Sequence, residues 1–108
     1  MADIYHLGQV GLKLSGKLQD YDDQDNIVSI SLAGYTRTFI RFRKPDGTIS
    51  EHPAEPDTPS NLADTDIVFD SDENILDQAG NWEYTFGVEY NDGTLYVSPL
   101  YRPFLVNV

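Results

Sequence analysis

The sequence contains no cysteine. Neither a disulfide framework nor a thiolate metal site can form, so stability must come from the packed core. No window approaches the roughly 20 apolar residues of a membrane helix, and residues 1–6 lack the basic stretch and apolar run of a secretion signal. Together these absences predict a soluble protein without a secretion signal.

Basic side chains are scarce. Lysine and arginine total 7 against 18 aspartates and glutamates, which gives a formal net charge of -11. Such a charge repels phosphate backbones and anionic membrane surfaces. We therefore expect neither nucleic acid nor a membrane as a partner.

Residue combinations typical of catalysis are also missing. His6 and His52 are isolated in the sequence, no serine lies in a nucleophile-elbow motif, and no glycine-rich phosphate loop precedes a helix. We expect no enzymatic activity and no cofactor.

The chain does contain enough apolar surface for one core. Its 108 residues are 40% hydrophobic and 12% aromatic, which is typical of one domain, here residues 1–108. Alternating apolar and polar positions recur without a helical period, and no repeat or linker divides the chain. The pattern predicts an all-β domain, and the span from Met1 to Val108 is interpreted as a free-standing product.

The clearest strand runs from Asn81 to Tyr90. One face carries the apolar residues Trp82, Tyr84, Phe86, Val88 and Tyr90, and the other carries Asn81, Glu83, Thr85, Gly87 and Glu89. This alternation predicts a central strand with one buried face, with Trp82 over the interior.

Turn residues predict two hairpins. Lys-Pro-Asp-Gly at 44–47 separates strands at 35–43 and 48–51, and Asn-Asp-Gly at 91–93 leads into a strand at 94–98. Because proline donates no backbone hydrogen bond, Pro99 and Pro103 predict that the stretch 104–108 lies at an edge or changes partner.

Shorter β-type patterns at 10–14, 27–32 and 67–69 bring the total to about seven strands, at spacings typical of an antiparallel sandwich. The stretches 20–26, 52–61 and 71–80 are rich in polar residues or proline and are predicted to be loops.

The segment 76–84, Leu-Asp-Gln-Ala-Gly-Asn-Trp-Glu-Tyr, resembles the immunoglobulin-like pattern before the penultimate long strand. Trp82 stands where that pattern usually has the corner tyrosine, and Tyr84 where antibody domains have a cysteine. The resemblance is therefore to the architecture and not to true antibody domains.

A wider likeness adds Gly8 and Gly11 near the start, the 44–47 turn and the final Asp-Gly-Thr turn at 92–94. In this framework the chain resembles small immunoglobulin-like structural proteins of tailed bacteriophages. The resemblance implies an Ig-like β-sandwich that serves as a virion protein in the tail, baseplate, fibre or capsid decoration. It also implies assembly in the host cytoplasm, in many copies, by self-association or contact with other virion proteins.

Residues 35–43 place Arg37, Phe39, Arg41 and Arg43 on one strand face, together with Tyr35. Arginines around an aromatic residue are favoured at protein interfaces, so these four are candidate docking residues. Cross-strand ion pairs with the glutamates at 83 and 89 are the alternative, and we favour it.

Tyr90, Tyr96 and Tyr101 cluster near the final hairpin, and Tyr96 and Tyr101 are further interface candidates. The second functional hypothesis is a carbohydrate-binding or adhesive module, in which these three tyrosines form a platform and the acidic loop at 20–26 holds calcium. That loop has alternating oxygen ligands but lacks the glycine and glutamate of an EF-hand, so a solvated loop is the plainer interpretation.

Overall fold

A computed structural model describes residues 3–108. The expected all-β class is confirmed, because the described residues form ten strands and no helix. The strands are β1 (Asp3–His6), β2 (Leu12–Lys17), β3 (Gln19–Tyr21), β4 (Ile27–Ser29), β5 (Tyr35–Arg43), β6 (Ile49–Pro56), β7 (Asp66–Ser71), β8 (Gly80–Tyr90), β9 (Leu95–Val97) and β10 (Arg102–Asn107). A helix able to span a membrane is accordingly absent from this part of the chain.

Eight strands form one mixed sheet. Seven follow the order β1-β10-β8-β5-β6-β7-β2, and β9 pairs with the C-terminal part of β8. β1 pairs in parallel with β10, and the other ladders are antiparallel. β3 and β4 form a separate two-stranded sheet. β5 and β8 therefore lie at the centre of the large sheet.

The large sheet curls around the core. Phe42 of β5 and Phe69 of β7 are separated by β6, yet their ring centroids are 5.7 Å apart, whereas two strand spacings in a flat sheet would separate them by roughly 9.6 Å. Trp82 is fully buried between the rings of Phe42, at 5.8 Å, and Phe104, at 5.7 Å. Its indole N–H donates to the carbonyl oxygen of Gln78 at 2.9 Å, so this large side chain is both packed and hydrogen-bonded.

The predicted faces of β8 are confirmed on the core side. Trp82, Tyr84, Phe86 and Val88 are all buried. Thr85 and Gly87 on the opposite face are buried too, which the alternation did not predict. The middle of β8 is therefore covered on both sides.

Both hairpins form where the turn residues predicted them. Gly47 and Gly93 each have a φ of 88°, a left-handed conformation that favours glycine. The Asp46 carboxylate accepts from the backbone N–H of Thr48 at 3.0 Å, and that of Asp92 from Thr94 at 2.9 Å. Each aspartate side chain accepts a hydrogen bond from the backbone two residues later, as a backbone carbonyl group does in an ordinary turn, and so stabilises its hairpin.

Several predicted boundaries were wrong. β6 continues through the predicted loop start to Pro56, because it leaves β5 after Ala54 and pairs with β7 at Glu55 and Pro56. Prolines are tolerated at such a change of partner, where a ladder hydrogen bond is not required. β4 ends at Ser29, and β3 begins before the predicted acidic loop.

The C-terminal strand also differs from the prediction. β10 is not an edge strand, since β1 pairs with its free side from Asp3↔Phe104 to His6↔Asn107. Ten strands replace the expected seven or so. The strands that were not predicted, β1 and β3, are short: β1 pairs with the distant β10, and β3 pairs locally with β4.

Candidate functional site

The predicted docking residues of β5 lie on the convex face of the sheet, away from the core. Phe39 is nevertheless only 1% exposed. Its ring packs over Gly87 of β8, where a Cβ added to the glycine would come within 2.3 Å of the Phe39 Cζ. The Arg37 guanidinium covers the ring at 4.8 Å from its centroid. Phe39 thus fills the space above a glycine, and arginine shields it from water.

The arginines of this face pair with glutamates on both neighbouring strands. Arg37 contacts Glu89 at 2.9 Å and Glu51 at 3.2 Å, Arg41 contacts Glu51 at 3.1 Å, and Arg43 contacts Glu83 at 3.3 Å. These are the cross-strand pairs that the sequence suggested, with Glu51 added from β6. Their side chains are about one third to one half exposed, so each pair contributes about 0.2–1 kcal/mol.

We call this surface the arginine face and define it by Arg37, Phe39, Arg41 and Arg43 of β5, Glu51 of β6, and Glu83 and Glu89 of β8. The hydrogen bonds that Arg37 donates to Glu89 and Glu51 raise the pKa of its guanidinium. Burial acts against ionisation of Glu51, but hydrogen bonds from Arg41 and Arg37 outweigh it and lower the pKa of that carboxyl group. Arg37 and Glu51 therefore both retain their charges at neutral pH.

Tyr101 also belongs to this surface, because the Arg43 guanidinium stacks on its ring at 4.1 Å from the centroid. Tyr35 does not, contrary to the sequence pattern. The register of β5 against β8 shifts between Tyr35 and Arg37, and this bulge turns Tyr35 towards the core.

The tyrosines near the final hairpin do not share one surface. Tyr90 and Tyr96 pack against the core, opposite to the arginine face that holds Tyr101. The Tyr90 hydroxyl donates to the Ser31 carbonyl oxygen at 2.7 Å, and the Tyr96 hydroxyl donates to the Asp20 carboxylate. Burial and the Asp20 hydrogen bond raise the pKa of Tyr96. The structure therefore does not bring the three tyrosines together as a platform.

The two sequence motifs of the resemblance are in direct contact. Lys44 forms an ion pair with Asp77 at 2.9 Å, and the Gln78 amide donates to the Asp46 carboxylate at 3.0 Å. The backbone at Gly80 lies so close to Pro45 that a Cβ on residue 80 would meet the proline ring at 3.1 Å. The turn at 44–47 and the segment at 77–82 are therefore one structural unit, although about 30 residues separate them in sequence.

Arg102 was not predicted to have a role, yet it connects the two ends of the curled sheet. Its guanidinium donates to the Lys17 carbonyl oxygen and to the Gln19 side chain, both at 3.3 Å. It reaches them across Gly16, where a Cβ in place of the glycine hydrogen would collide with the guanidinium. In the sequence, this contact is marked only by a glycine within a strand, Gly16, and by an arginine next to a proline, Arg102. The signal is weak, because only the curl of the sheet brings the two residues together.

A cleft of about 380 Å³ at the acidic loop is lined only by Asp22, Asp23 and Gln24 and is widely open to solvent. A cleft of about 270 Å³ opens where β6 leaves β5, lined in part by Arg37, Glu51 and His52. Ligand pockets typically have about 300–1,000 Å³, and two of these side chains already pair with each other. Arrangements of three or more side chains suited to a metal are absent from residues 3–108.

The acidic loop is organised by its own backbone. The Asp22 carboxylate accepts from the N–H groups of Gln24 at 2.8 Å and Asn26 at 2.9 Å. Hydrogen bonds from Asn26 and Gln24 lower the pKa of Asp22. These contacts account for an aspartate at this position without a cation.

Comparisons with known proteins give no identification. The chain matches no family model, no curated protein and no solved structure.

Proposed function

We propose that the chain is a non-enzymatic structural protein of a tailed-phage virion, an Ig-like β-sandwich module that assembles in many copies on the tail, baseplate or capsid. Its role would be to provide a rigid surface that contacts other virion proteins or further copies of itself. Binding would use the arginine face, to which four β5 residues and Tyr101 contribute.

The strand order supports the Ig-like part of this proposal. The sequence of neighbours β10-β8-β5 corresponds to the G-F-C sheet of an immunoglobulin domain, and the pair β2–β7 corresponds to its B and E strands. In this assignment β8 is strand F, and the segment that leads into it contains the residues of the resemblance. β6 joins the two halves, which makes the sheet continuous around the core.

The observation that carries the proposal is the contact between the motifs at 44–47 and 77–82. The resemblance to phage modules is built from these motifs, and they interlock through Lys44–Asp77 and Asp46–Gln78. Residues that interlock have a physical reason to occur together. In this chain the two motifs therefore form one structural unit, which supports treating them as a single pattern.

Purified virions test the proposal. Phage particles from the genome that encodes the chain would be banded on a density gradient and analysed by quantitative mass spectrometry. We expect the chain at a fixed copy number per particle, in the fraction that holds the tail or capsid proteins. Its presence in the lysate together with its absence from banded particles would refute the proposal. Flanking genes for portal, sheath or baseplate proteins are also expected.

A further inference from the structure

We infer that the arginine face binds a second copy of this chain in a two-fold symmetric, face-to-face dimer. The inference rests on the proposed function, for which it names one partner. Its first basis is charge. The whole chain carries -11, but the arginine face balances three arginines against three glutamates. Two copies repel each other over most orientations, and contact through this face brings no further uncompensated charge together.

The register makes the face complementary to itself. Arg37 lies opposite Glu89, and Arg43 lies opposite Glu83, on the adjacent strands β5 and β8. The two-fold axis lies in the interface plane, parallel to the strands and midway between β5 and β8. It places β5 of one copy over β8 of the other. Each of these arginines then faces a glutamate of the second copy as well as its own.

The same axis also brings together apolar residues on the strands next to β5 and β8. Ile49 of β6 is aligned with Arg43, and Pro103 of β10 is aligned with Glu83, so Ile49 of one copy lies over Pro103 of the other. By the same register Pro53 lies over Val97. Ile49 is 52% exposed, and burial of such a side chain favours association.

Edge-to-edge pairing is the competing way for β proteins to associate, and the β2 edge and the free part of β6 discourage it. The free edge of β2 carries Lys13 and Lys17, and the free part of β6 carries Pro53. Lysine and proline on edge strands oppose pairing with another strand. The arginine face is therefore a better surface for a second copy than either of these edges.

The available area sets the expected strength. Four strand columns at about 4.8 Å and eight residue steps at about 3.4 Å give at most roughly 500 Å² per copy, because the face is convex. About 1,000 Å² in total lies at the lower limit for a specific interface. We therefore expect a weak dimer that dissociates on dilution through roughly the micromolar range.

Sedimentation equilibrium of the purified chain, from about 1 μM to about 1 mM, tests the inference. We expect a monomer–dimer equilibrium that Ile49→Glu weakens by roughly tenfold or more, because it buries an unpaired carboxylate. Ile27→Glu is the matched control. Ile27 is 58% exposed on the separate β3–β4 sheet, so this variant adds the same charge away from the face and should dimerise almost as the parent does.

Because the chain has no cysteine, cross-linking can test the geometry directly. Ile49→Cys and Pro103→Cys chains, mixed and oxidised, should form a mixed disulfide faster than either variant alone. A chain that stays monomeric throughout, or that dimerises equally well with Ile49→Glu, would overturn the inference. Binding of a different virion protein through Ile49 by a monomeric chain would do so too. A monomer that is still found in particles refutes only the dimer, and a dimer absent from particles refutes only the virion role.

Discussion

Replacement of Gly87 by alanine should destabilise the protein through Phe39. The added Cβ would lie 2.3 Å from the Phe39 Cζ, 2.5 Å from its Cε2 and 2.9 Å from the Tyr96 carbonyl oxygen. Carbon atoms in contact prefer about 3.5–4.0 Å, so the ring must move by more than about 1 Å. Arg37 covers it and the β8–β9 ladder fixes the Tyr96 carbonyl, which leaves little room for relaxation.

Overpacking of this kind costs about 1–3 kcal/mol, and the higher strand preference of alanine over glycine offsets about 0.5–1 kcal/mol at most. We expect a net loss of about 1–2 kcal/mol and a decrease in Tm of roughly 4–16 °C. Urea unfolding followed by fluorescence of Trp82, the single tryptophan, measures it.

Two further variants isolate the cause. Gly16→Ala is the same change in another strand, but the colliding group is the Arg102 guanidinium. Its displacement loses two long hydrogen bonds at a cost of about 1–2 kcal/mol, and this loss should not depend on Phe39. In a Phe39→Leu background, Gly87→Ala should cost much less than in the parent, because the ring atoms it strikes are gone. A neutral or stabilising Gly87→Ala in the parent would refute the packing argument.

The remaining predictions concern the core and two titrating groups. Trp82→Phe should lower the free energy of unfolding by about 2–3 kcal/mol in urea titrations monitored by circular dichroism, since it opens a cavity and leaves the Gln78 carbonyl oxygen without its donor. The lowered pKa of Glu51 implies stability that is present above the unfolded pKa of about 4.3 and lost as pH falls through the folded pKa. The advantage of the parent over Glu51→Gln in urea midpoint should therefore disappear in acid, and an advantage that persists at about pH 2 would contradict this. The raised pKa of Tyr96 implies stability that is present below about pH 10 and lost as pH rises further. Between about pH 9 and pH 12, Tyr96→Phe should therefore lose less stability than the parent. Equal losses in the two proteins would contradict the role of the Tyr96 hydroxyl group.

The sequence was most informative where structure depends on neighbouring residues. The alternation in β8 predicted Trp82, Tyr84, Phe86 and Val88 as a buried face, because strand geometry sends alternate side chains to the same side. The turn residues at 44–47 and 91–93 predicted both hairpins, since their φ requirements and side-chain hydrogen bonds are local.

Features that depend on strand partners were not predictable in this way. β6 reaches Pro56 only because it changes partner from β5 to β7 after Ala54. Pro53 is accommodated earlier in the strand, where β6 pairs with β5 on one side and its other side is free. The burial of Phe39 requires Gly87 on the adjacent strand, and a single extra residue at the bulge before Arg37 moved Tyr35 to the other face. In each case the deciding residue is far away in sequence or shifts the register.

The Phe39–Gly87 contact also connects stability with the proposed dimer. An aromatic ring that stood out from β5 would separate two opposed sheets. Because the Phe39 ring lies over Gly87, Phe39 is only 1% exposed. The arginines and glutamates around it can therefore contact those of the second copy. The inferred two-fold axis places Phe39 of one copy over Gly87 of the other. Gly87→Ala should therefore weaken dimerisation by more than its effect on folding explains, which sedimentation of the folded variant would detect. Unchanged dimerisation of a destabilised Gly87→Ala chain would separate the two roles and show that the low position of the Phe39 ring over Gly87 is not required for association.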